Sequence, residues 1–574
     1  MPRVAQSYHA IAIDYDGTLT EEDQPRLDVL AALAEVRAAG VKVILVTGRV
    51  FSELAQVFPG VDDCFDFIVA ENGAVLRFAG VSRAVTAPVP FELDEPLVSQ
   101  GIAFKRGQVL LACDGEHEVA VLKELRRIGS DCQLIRNREA LMVLPAGVSK
   151  ASGVSQALRE LGLSYHSAVA IGDAENDLAL LDRCELRVAV ANAMPSLRRH
   201  ADIVLRASNG AGVMKFLRGP MLRGESPPPP GRWRIPLGSS SNGELVTLPA
   251  SNVNVLVIGA TGVGKSYMAG LLAERLLELE YSLCIIDPEG DHAPLGRLHD
   301  VSTVGGRGGL PSPREIRALL QNHLGSVVID LTLAALHEHA GYLSELFGEL
   351  REERKHSGLP HWFIVDEAHV PFGAHSVACE SLRDGEKGVC LVTYDPLRLC
   401  GSTGLEFDYV IALAGEGGLA ASTRSEIESL GTDLLEPLPR LRKAQALLLR
   451  LGEAPEAQVF ELGPRWVRHV RHWHKYAEAH LPWEKAFRFR GPSGLTGAVA
   501  DNLLEFRREL IRCDPLVVAH HLGHGDFARW IHGVLQDEAL ASMVRGIEER
   551  WDLDRPIEGL RREIIEAIEN RYLA

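Results

Sequence analysis

The chain has 574 residues, about four times the length of a common domain of ~150 residues, so we expect several hydrophobic cores. With 46% hydrophobic and 24% charged residues the composition is that of a globular protein. The sequence contains no run of about 20 apolar residues, so it predicts no membrane span. The net charge of −17 at pH 7 argues against non-specific DNA binding over the whole surface, although it allows a local basic channel.

The nine cysteines are scattered between Cys64 and Cys513 without a C-x-x-C pair. This pattern argues against a disulfide framework and against a cysteine zinc site, and it is typical of a reducing compartment. The N-terminal residues show no signal-peptide pattern. We therefore expect a cytoplasmic protein.

Residues 1–218 alternate short apolar runs with helical periods, as a parallel α/β sheet does. The predicted strands are AIAID, VKVILVT, FDFIVA and SAVAIGD, and the predicted helices are LDVLAALAEVRAAG and KASGVSQALRELGL. Both helices end at a glycine, the residue that most readily closes a helix C-terminus. The first 218 residues are therefore predicted to form an α/β domain.

Polar motifs follow these predicted strands. Asp14 ends the first strand and Asp16 lies two residues further on. Three more motifs come in the order Thr47-Gly48-Arg49, Lys150 and Gly172-Asp173-Ala174-Glu175-Asn176-Asp177. Because open α/β sheets bind ligands at the C-terminal ends of their strands, we expect these motifs to converge on one pocket.

The four motifs, with Glu71-Asn72-Gly73-Ala74, resemble the haloacid dehalogenase superfamily of phosphohydrolases in its sugar-phosphatase-like branch. The resemblance implies a Rossmann-like core in which Asp14 is the nucleophile and Asp16 the general acid and base. Thr47 and Lys150 would hold the transferring phosphoryl group. Attack by a carboxylate splits hydrolysis into two steps through an aspartyl phosphate.

The same resemblance implies a Mg²⁺ site. The ion would be placed by Asp14, the carbonyl of Asp16, Asp173 and Asp177, and it would help Lys150 to neutralise a dianionic phosphate. An oxygen-only donor set without His or Cys suits magnesium. The residues expected to face the substrate or support the site are Gly48, Arg49, Asn72 and Asn176.

About 70 residues separate the ENGA motif from Lys150, which is too long for one crossover. In the branch that the sequence resembles, this stretch is an α/β cap that selects the substrate, and here it would span roughly 80–146. Lys105 and Arg106 either meet an anionic substrate or lie in a solvated loop. The expected substrate is a phosphorylated small molecule, similar to a sugar phosphate, or a nucleic-acid end.

Residues 219–245 are predicted to be a linker. Four prolines at 227–230 favour an extended segment, and the Gly/Ser run after them favours flexibility. A proline-rich partner site is the functional alternative.

The strand pattern then resumes, and the strand VNVLVIG leads into a P-loop. The motif G-x-x-x-x-G-K-[ST] has the required strand before it and a helix after it. Its glycines let backbone N–H groups wrap phosphates, while Lys265 reaches the β and γ oxygens and Ser266 binds Mg²⁺. The predicted ATP-binding residues are Gly259, Thr261, Gly262, Gly264, Lys265, Ser266 and Asp366.

A second apolar strand, WFIV, ends in Asp366 and Glu367. Asp366 suits the surroundings of the Mg²⁺ ion, and Glu367 suits the base that activates water. Small-molecule kinases usually lack such a glutamate, because water should not be their nucleophile. The pair therefore predicts ATP hydrolysis.

The pattern over roughly 233–460 resembles the HerA-like branch of hexameric translocating ATPases. A strand pair precedes the P-loop, Asp287-Pro288-Glu289-Gly290-Asp291 matches the second-strand signature, and Thr393-Tyr394-Asp395-Pro396 resembles the sensor strand. The resemblance implies a RecA-like domain, predicted at 246–462. The chain departs from the family at Tyr394 and Asp395, where glutamine and arginine are usual, and this departure puts motor activity in doubt.

A ring ATPase needs an arginine presented to the neighbouring nucleotide. Arg424, Arg440 and Arg442 are available, and their spacing does not choose among them. The resemblance implies a homo-oligomer, with a hexamer favoured, and DNA as a possible partner.

Residues 463–574 are predicted to form a mostly helical module. Arg465, Arg468, Arg471 and Lys475 recur at helical spacing and favour either a nucleic-acid stripe or a solvated helix face. His520, His521 and His524 could form a metal site. This is a minor alternative, because on a helix His521 should face away from the other two.

The sequence thus predicts a bifunctional hydrolase, a Mg²⁺-dependent phosphatase fused to a HerA-like ATPase that is a candidate nucleic-acid translocase. One alternative is a kinase–phosphatase pair acting on one substrate. The other is an ATP-gated scaffold that regulates the phosphatase, which the altered sensor strand favours.

Overall fold

A computed structural model gives the structure of the chain. It describes residues 8–21, 24–137, 139–223, 231–321, 325–334, 336–373, 376, 378–379, 386–396, 399, 405–413, 441–442, 444–452, 455–467, 481–492, 494–535, 537–551 and 556–572. The four prolines of the predicted linker, Arg424 and Arg440, and the basic residues at 468, 471 and 475 lie outside these ranges.

The N-terminal region contains twelve strands and nine α-helices among its described residues. The strands are β1 (Ala10–Asp14), β2 (Lys42–Val46), β3 (Phe67–Ala70), β4 (Val75–Phe78), β5 (Val81–Ala84), β6 (Phe104–Arg106), β7 (Leu111–Asp114), β8 (Gln133–Asn137), β9 (Ala140–Leu144), β10 (Ala168–Gly172), β11 (Leu186–Ala189) and β12 (Ile203–Val204). The helices are α1 (Leu27–Ala38), α2 (Phe51–Val57), α3 (Val61–Cys64), α4 (Asp94–Ser99), α5 (Glu118–Arg127), α6 (Lys150–Glu160), α7 (Leu178–Arg183), α8 (Pro195–His200) and α9 (Asn209–Leu217).

Eight of these strands form one sheet in the order β12-β11-β10-β1-β2-β3-β4-β5. The pairs from β12 to β3 are parallel, and β4 and β5 add an antiparallel edge. Strand β1 lies in the middle and is wholly buried, which explains why its sequence is a continuous apolar run. The result is the Rossmann-like α/β core that the sequence predicts.

The remaining four strands form a separate antiparallel sheet in the order β6-β7-β9-β8. With α4 and α5 it surrounds its own small core, which includes Leu111, Val121 and Leu141. This unit lies between β5 and α6 in the chain, within the stretch for which the sequence predicts a cap.

The second region contains eleven strands and three α-helices among its described residues. The strands are β13 (Arg234–Ser239), β14 (Leu245–Pro249), β15 (Val255–Gly259), β16 (Leu283–Asp287), β17 (Val301–Gly305), β18 (Ser326–Asp330), β19 (Trp362–Val365), β20 (Val389–Thr393), β21 (Tyr409–Leu413), β22 (Gln445–Arg450) and β23 (Glu456–Leu462). The helices are α10 (Lys265–Glu278), α11 (Pro313–Gln321) and α12 (Leu336–Ser357).

All eleven strands form one sheet in the order β14-β13-β23-β22-β21-β15-β20-β19-β16-β18-β17. The seven strands from β21 to β17 are parallel, and the other four extend the sheet in antiparallel pairing. Strand β13 pairs on both edges although it lies inside the stretch predicted as a linker. The chain is therefore part of the sheet from Arg234 onwards.

The C-terminal region is mostly helical among its described residues, as the sequence predicts, but it also contains a strand pair. Its elements are β24 (Phe487–Gly491), β25 (Gly494–Ala500), α13 (Leu503–Arg512), α14 (Pro515–His524), α15 (Asp526–Trp530), α16 (Glu538–Glu548) and α17 (Ile557–Tyr572). Phe487 and Phe489 on β24 pack with Phe506 of α13 in one aromatic core. A strand pair is stable here because helices cover its apolar face.

The first two regions contact each other through a buried polar cluster. The ring of His166 stacks on Tyr281 with 3.6 Å between centroids, and its Nε2 donates to the carbonyl of Leu279 at 2.7 Å. Glu185 accepts hydrogen bonds from Tyr281 and Ser251, and its Oε2 lies 2.9 Å from His166 Nδ1. His166 and Tyr281 each come two residues before a parallel strand begins, so the contact joins the N-terminal edges of the two sheets.

No helix among the described residues has both the length and the apolar character that a membrane crossing requires. Cys379 is disulfide-bonded, a pairing that the sequence does not predict, whereas the seven other described cysteines are free.

Candidate active sites

Three carboxylates meet at the C-terminal edge of the first sheet. Asp14 ends β1, Asp173 follows β10, and Asp177 lies in the turn before α7. One oxygen from each lies within 4.8 Å of the others, and all three side chains are buried. The structure thus brings Asp14 together with two carboxylates that lie more than 150 positions later in the chain.

Lys150 lies between two of these carboxylates. Its Nζ donates to Asp14 Oδ1 at 2.5 Å and to Asp177 Oδ1 at 2.6 Å, and its side chain is only 2% exposed. Lys150 is the first residue of α6, whose start is fixed by reciprocal hydrogen bonds between Ser149 and Ser152. Helix capping therefore sets the position from which the ammonium group reaches the acids.

Burial dominates the electrostatics of this cluster. Desolvation and the neighbouring Asp177 raise the pKa of Asp14 well above its ordinary value, against the opposing effect of Lys150. Desolvation lowers the pKa of Lys150, but Asp14 and Asp177 outweigh it and the net pKa is raised. One ammonium group compensates three buried carboxylates only in part, so the cluster favours an added cation.

The donor set fits Mg²⁺. Asp14, Asp173 and Asp177 offer only oxygen atoms, the ligands that magnesium prefers. Beside them both polar side-chain atoms of Asn176, and Oδ1 of Asn72, are buried without a hydrogen-bond partner among the described residues. Buried polar atoms normally have partners, so these atoms indicate a place for a polar ligand.

Asp16 and Arg49 form a pair at the mouth of the site. The Arg49 guanidinium donates to both carboxylate oxygens of Asp16, the shortest contact being 2.6 Å, and Asp16 is 40% exposed. The Arg49 backbone N–H donates to Thr47 Oγ1 at 3.0 Å. Thr47, Gly48 and Arg49 thus follow β2 directly into the site, and Met142 of β9 lies over Gly48.

Glu71 is a further residue of interest, to which the sequence assigns no role beyond membership of the ENGA motif. Its buried carboxylate accepts hydrogen bonds from the backbone N–H groups of Gln108, Val109 and Leu110 at 2.7–3.0 Å. A Cβ on Gly107 would lie 2.4 Å from that carboxylate. Glu71 therefore connects the core to the loop that joins β6 and β7.

The backbone around Glu71 is unusual, because Glu71, Asn72 and Gly73 all have positive φ. Only glycine fits at the third position, where a Cβ would lie 1.9 Å from the carbonyl oxygen of Ser149. The Asn72 N–H donates to the Thr47 carbonyl at 2.9 Å. The ENGA motif thus links the Thr47 loop to the start of α6.

The P-loop connects β15 to α10 at the C-terminal edge of the second sheet. Gly262 and Gly264 have φ of 87° and 107°, which lets the chain wrap before α10 begins at Lys265. Gly259 is buried at the end of β15, and Thr261 is exposed. Lys265 Nζ donates to the carbonyl of Ala260 at 3.3 Å and lies 3.8 Å from Glu367 Oε1.

Asp366 follows β19 and lies near Ser266, which lowers the pKa of its carboxyl group. Its Oδ2 lies 2.9 Å from Nε2 of the buried His292. Burial raises the pKa of Asp366, but the hydrogen bond with His292 and the nearby Ser266 outweigh it and leave the pKa below its ordinary value. His292 is positioned by Asp287, whose carboxylate accepts its backbone N–H at 2.7 Å.

Glu367 adopts a φ of 43° and reaches toward Lys265. Desolvation raises its pKa to about 7, with Lys265 opposing and Asp366 adding to the effect. His369 Nδ1 lies 3.4 Å from Glu367 Oε2, and the His369 ring packs against Tyr394. Tyr394, which directly follows β20, is therefore connected to Glu367 through His369.

Other predicted groups lie elsewhere. Arg442 is exposed. Arg465, expected in a basic stripe, is instead 3% exposed and bonded to Glu274 of α10. Arg106 is engaged by Asp94 and backbone carbonyls, and Lys105 pairs with Glu53. The Arg465 side chain is buried because its positive charge compensates the carboxylate of Glu274, which is itself fully buried.

The sequence matches two family models. Residues 11–92 and 103–217 match the haloacid dehalogenase-like hydrolases, and residues 250–356 match the helicase HerA central domain. Both matches contain residues of the sites described above.

Curated relatives match the first region. A phosphoglycolate phosphatase of Methanothermobacter thermautotrophicus is 33% identical over 220 residues, which cover 36% of this chain and 97% of that protein. Phosphoglycolate phosphatase 2 of Saccharolobus solfataricus is 30% identical over 215 residues, covering 36% and 90%. A solved haloacid dehalogenase-like hydrolase from Bacteroides thetaiotaomicron is 21% identical, with a TM-score of 0.33 over 37% of this chain and 98% of that one. The chain thus belongs to the haloacid dehalogenase-like hydrolases, as an enzyme of the phosphatase type that also carries a HerA-like ATPase domain.

Proposed function

We propose that residues 1–218 hydrolyse a phosphomonoester through an aspartyl phosphate on Asp14. The observation that carries this proposal is the contact of Asp14 with Lys150 inside a cluster of buried carboxylates. A free Asp14 oxygen attacks phosphorus while Lys150 and Thr47 hold the phosphoryl oxygens. Asp16, once Arg49 turns toward the substrate, gives a proton to the leaving alcohol and later takes one from the attacking water.

Magnesium, held by Asp14, Asp173, Asp177 and the Asp16 carbonyl, would supply positive charge against the phosphate. This is the role that the cluster favours, because its own ammonium group compensates the acids only in part. The unpartnered amides of Asn72 and Asn176 bind the polar part of the substrate.

The substrate that we propose is a small anionic phosphomonoester, with phosphoglycolate the first to test because the curated relatives are named for it. The position of Met142 over Gly48 and the tie between Glu71 and the β6–β7 loop favour a covered site. A covered site suits a small molecule better than a nucleic-acid end. Sugar phosphates remain the second class in a substrate panel.

The test is a phosphate-release assay on phosphoglycolate, sugar phosphates and 5′- or 3′-phosphorylated oligonucleotides, with Asp14→Asn as the inactive variant. Asp14→Asn keeps the shape of the side chain but removes the nucleophile, so we expect a loss of at least about 10³-fold with ATP hydrolysis unchanged. If the variant retains wild-type phosphatase activity, Asp14 is not the nucleophile.

For residues 246–462 we propose Mg²⁺-dependent ATP hydrolysis, with Lys265 and Ser266 on the nucleotide phosphates and Mg²⁺, Asp366 beside the ion, and Glu367 as the base. The position of Ser266 near Asp366 and the approach of Glu367 to Lys265 support this assignment. Glu367→Gln should bind ATP but hydrolyse it at least about 10²-fold more slowly. Unchanged hydrolysis in this variant would remove Glu367 from the mechanism.

We also propose that the ATPase works as a homohexamer, since such a site needs a cationic group from a neighbour. The mass in solution with a non-hydrolysable ATP analogue should approach six times 62.6 kDa. DNA translocation stays a narrower proposal, because Tyr394 and Asp395 depart from the family pattern. DNA-stimulated ATP hydrolysis by the assembled ring would support translocation. A monomer with full ATPase activity would exclude both the homohexamer and DNA translocation.

A second candidate function, ATP-gated regulation of the phosphatase, is favoured by the contact between the regions. Helix α10 begins at the P-loop, and just after its end the Leu279 carbonyl accepts hydrogen bonds from His166 and Tyr165. From His166 the chain continues through β10 to Asp173. In Glu367→Gln, added ATP should change the phosphatase rate without being consumed, and Lys265→Met should abolish that change. Equal rates with and without ATP would leave two independent hydrolases.

A further inference from the structure

Helices α14 and α15 meet at a group of imidazole and carboxylate side chains. His520 and His524 lie one helical turn apart on α14 with 4.5 Å between ring centroids. Gly525, with a φ of 62°, ends the helix and places Asp526 beside the two rings. One potential ligand atom from each of the three residues lies within 4.8 Å of the others.

The neighbouring His521 points the other way and supports the carboxylate. Its Nε2 accepts the backbone N–H of Arg490 at 2.8 Å, so the ring proton lies on Nδ1. Nδ1 then donates to Asp526 Oδ2 at 2.7 Å. A hydrogen bond of this kind orients a carboxylate in the way that supporting residues orient metal ligands.

The other two rings keep lone pairs available. Nδ1 of His524 donates to the carbonyl of His520 at 2.6 Å, which leaves Nε2 as the unprotonated nitrogen. Within the part of the chain that the structure describes, the ring of His520 contacts the rings of His521 and His524 and makes no hydrogen bond. Both imidazoles can therefore coordinate without giving up a buried contact.

One existing contact competes with a ligand. Arg529 Nη1 donates to Asp526 Oδ1 at 2.9 Å. Arg529 Nη2 also donates to the backbone carbonyl of His524, but the Arg529 side chain is 70% exposed, so it can turn into solvent. The Asp526 side chain is 25% exposed, so the pair is only partly exposed; such pairs contribute little to stability when one partner is held in solvent, and the loss of this one is a small obstacle to metal binding.

We propose that His520, His524 and Asp526 bind a divalent transition-metal ion, with Zn²⁺ the expected ion and water completing its coordination. Two imidazoles and one carboxylate suit Zn²⁺ far better than Mg²⁺, which selects the oxygen-only cluster around Asp14. The ion joins the end of α14 to the start of α15 across Gly525. The site is independent of both proposed hydrolytic activities.

The experiment uses the full chain, stripped with a chelator and returned to excess Mg²⁺ so that the carboxylate sites are filled. Calorimetric titration with Zn²⁺ should show one site per chain. The double variant His520→Ala/His524→Ala should lose this site, and Asp526→Asn should weaken it by about tenfold or more. In Co²⁺ the wild type should show visible absorption bands that the double variant lacks.

His532→Ala is the matched control, because His532 lies in the same region, is 56% exposed and contacts Glu538 rather than the cluster. This variant should bind Zn²⁺ as the wild type does. Equal Zn²⁺ binding by the wild type and by a folded double variant, or no Zn²⁺ binding by the wild type, would overturn the proposal. Circular dichroism checks that each variant is folded.

Discussion

The two catalytic regions treat buried charge differently. Around Asp14 the chain compensates the buried carboxylates in part by direct contacts, because Lys150 donates to two of them and the Thr18 hydroxyl donates to the third, Asp173. At the P-loop, Lys265 has a backbone carbonyl at 3.3 Å and its nearest carboxylate at 3.8 Å. The ammonium group of the first site is thus paired directly with carboxylates, whereas that of the second makes only longer contacts.

Replacing Lys150 or Lys265 by methionine should show the difference between the two sites most clearly. Lys150→Met removes the ammonium group between buried acids, and breaking such a contact costs about 3–5 kcal/mol of folding stability. Phosphatase activity should fall by about 10²–10³-fold because the phosphoryl group loses its positive partner. Thermal unfolding in Mg²⁺-free buffer and phosphate release measure the two effects.

Lys265→Met serves as the comparison for that experiment. It should abolish ATP binding while leaving the unfolding temperature close to that of the wild type, since Lys265 makes no close ion pair. A large loss of stability in Lys265→Met, or none in Lys150→Met, would contradict the difference between the sites.

The contact between the regions offers a second test of charge compensation. Glu185→Ala leaves Tyr281, Ser251 and His166 without their shared acceptor, and removal of one partner from a buried network costs about 3–5 kcal/mol. We expect calorimetry to show a lower first transition, with the two regions unfolding separately. Glu280→Ala is the control, because its pair with Arg183 is exposed and should change stability by less than about 1 kcal/mol.

Glu71 tests whether compensation by backbone N–H groups matters for catalysis. Glu71→Gln replaces one acceptor oxygen by an NH₂ group that opposes the donors at 108–110. The resulting cost of about 1–3 kcal/mol should loosen the β6–β7 loop and reduce phosphatase kcat/KM by about tenfold. Proteolysis within the β6–β9 unit should also become faster. Glu53→Gln, which affects only an exposed contact with Lys105, should change neither measurement.

The features that the sequence predicts are those encoded by short continuous motifs. The P-loop is one continuous run between a strand and a helix, so its residues and its place in the sheet follow from eight letters. The acids after β1 and β10 are predictable because parallel strands bring their C-terminal ends to one edge. Their roles remain predictions, whereas their proximity is a property of the fold.

The unpredicted features depend on distant partners. Glu71 binds backbone N–H groups 37–39 positions away, and backbone donors have no sequence signature. Arg465 belongs to a helical-looking basic pattern, yet its environment is decided by Glu274 at 191 positions' distance. The sequence does not predict the strand pair β24–β25. The alternation of Phe487 and Phe489 extends over only a few residues, and most of the residues after the pair have the apolar spacing of helices.

The smallest expected effect concerns Glu548, a buried carboxylate in the C-terminal region whose compensation is incomplete. Burial raises its pKa to about 7 from an ordinary 4.5, although the N–H groups of Ala528 and Phe527 oppose the shift. Between these two values the folded state holds a proton that the unfolded state has lost, so stability must fall as pH rises from about 4.5 to 7.

Glu548→Gln should remove this dependence, because an amide accepts a backbone N–H without ionising. The wild type should lose stability relative to the variant between about pH 4.5 and pH 7, by on the order of 1 kcal/mol once solvent screening is allowed for. Urea unfolding in chelator, followed at each pH by hydrogen exchange of the backbone amides of α16 and α17, measures the difference. A constant difference across this pH range would mean that the backbone N–H groups of Phe527 and Ala528 compensate the Glu548 carboxylate fully, so that its pKa is not raised in the folded state.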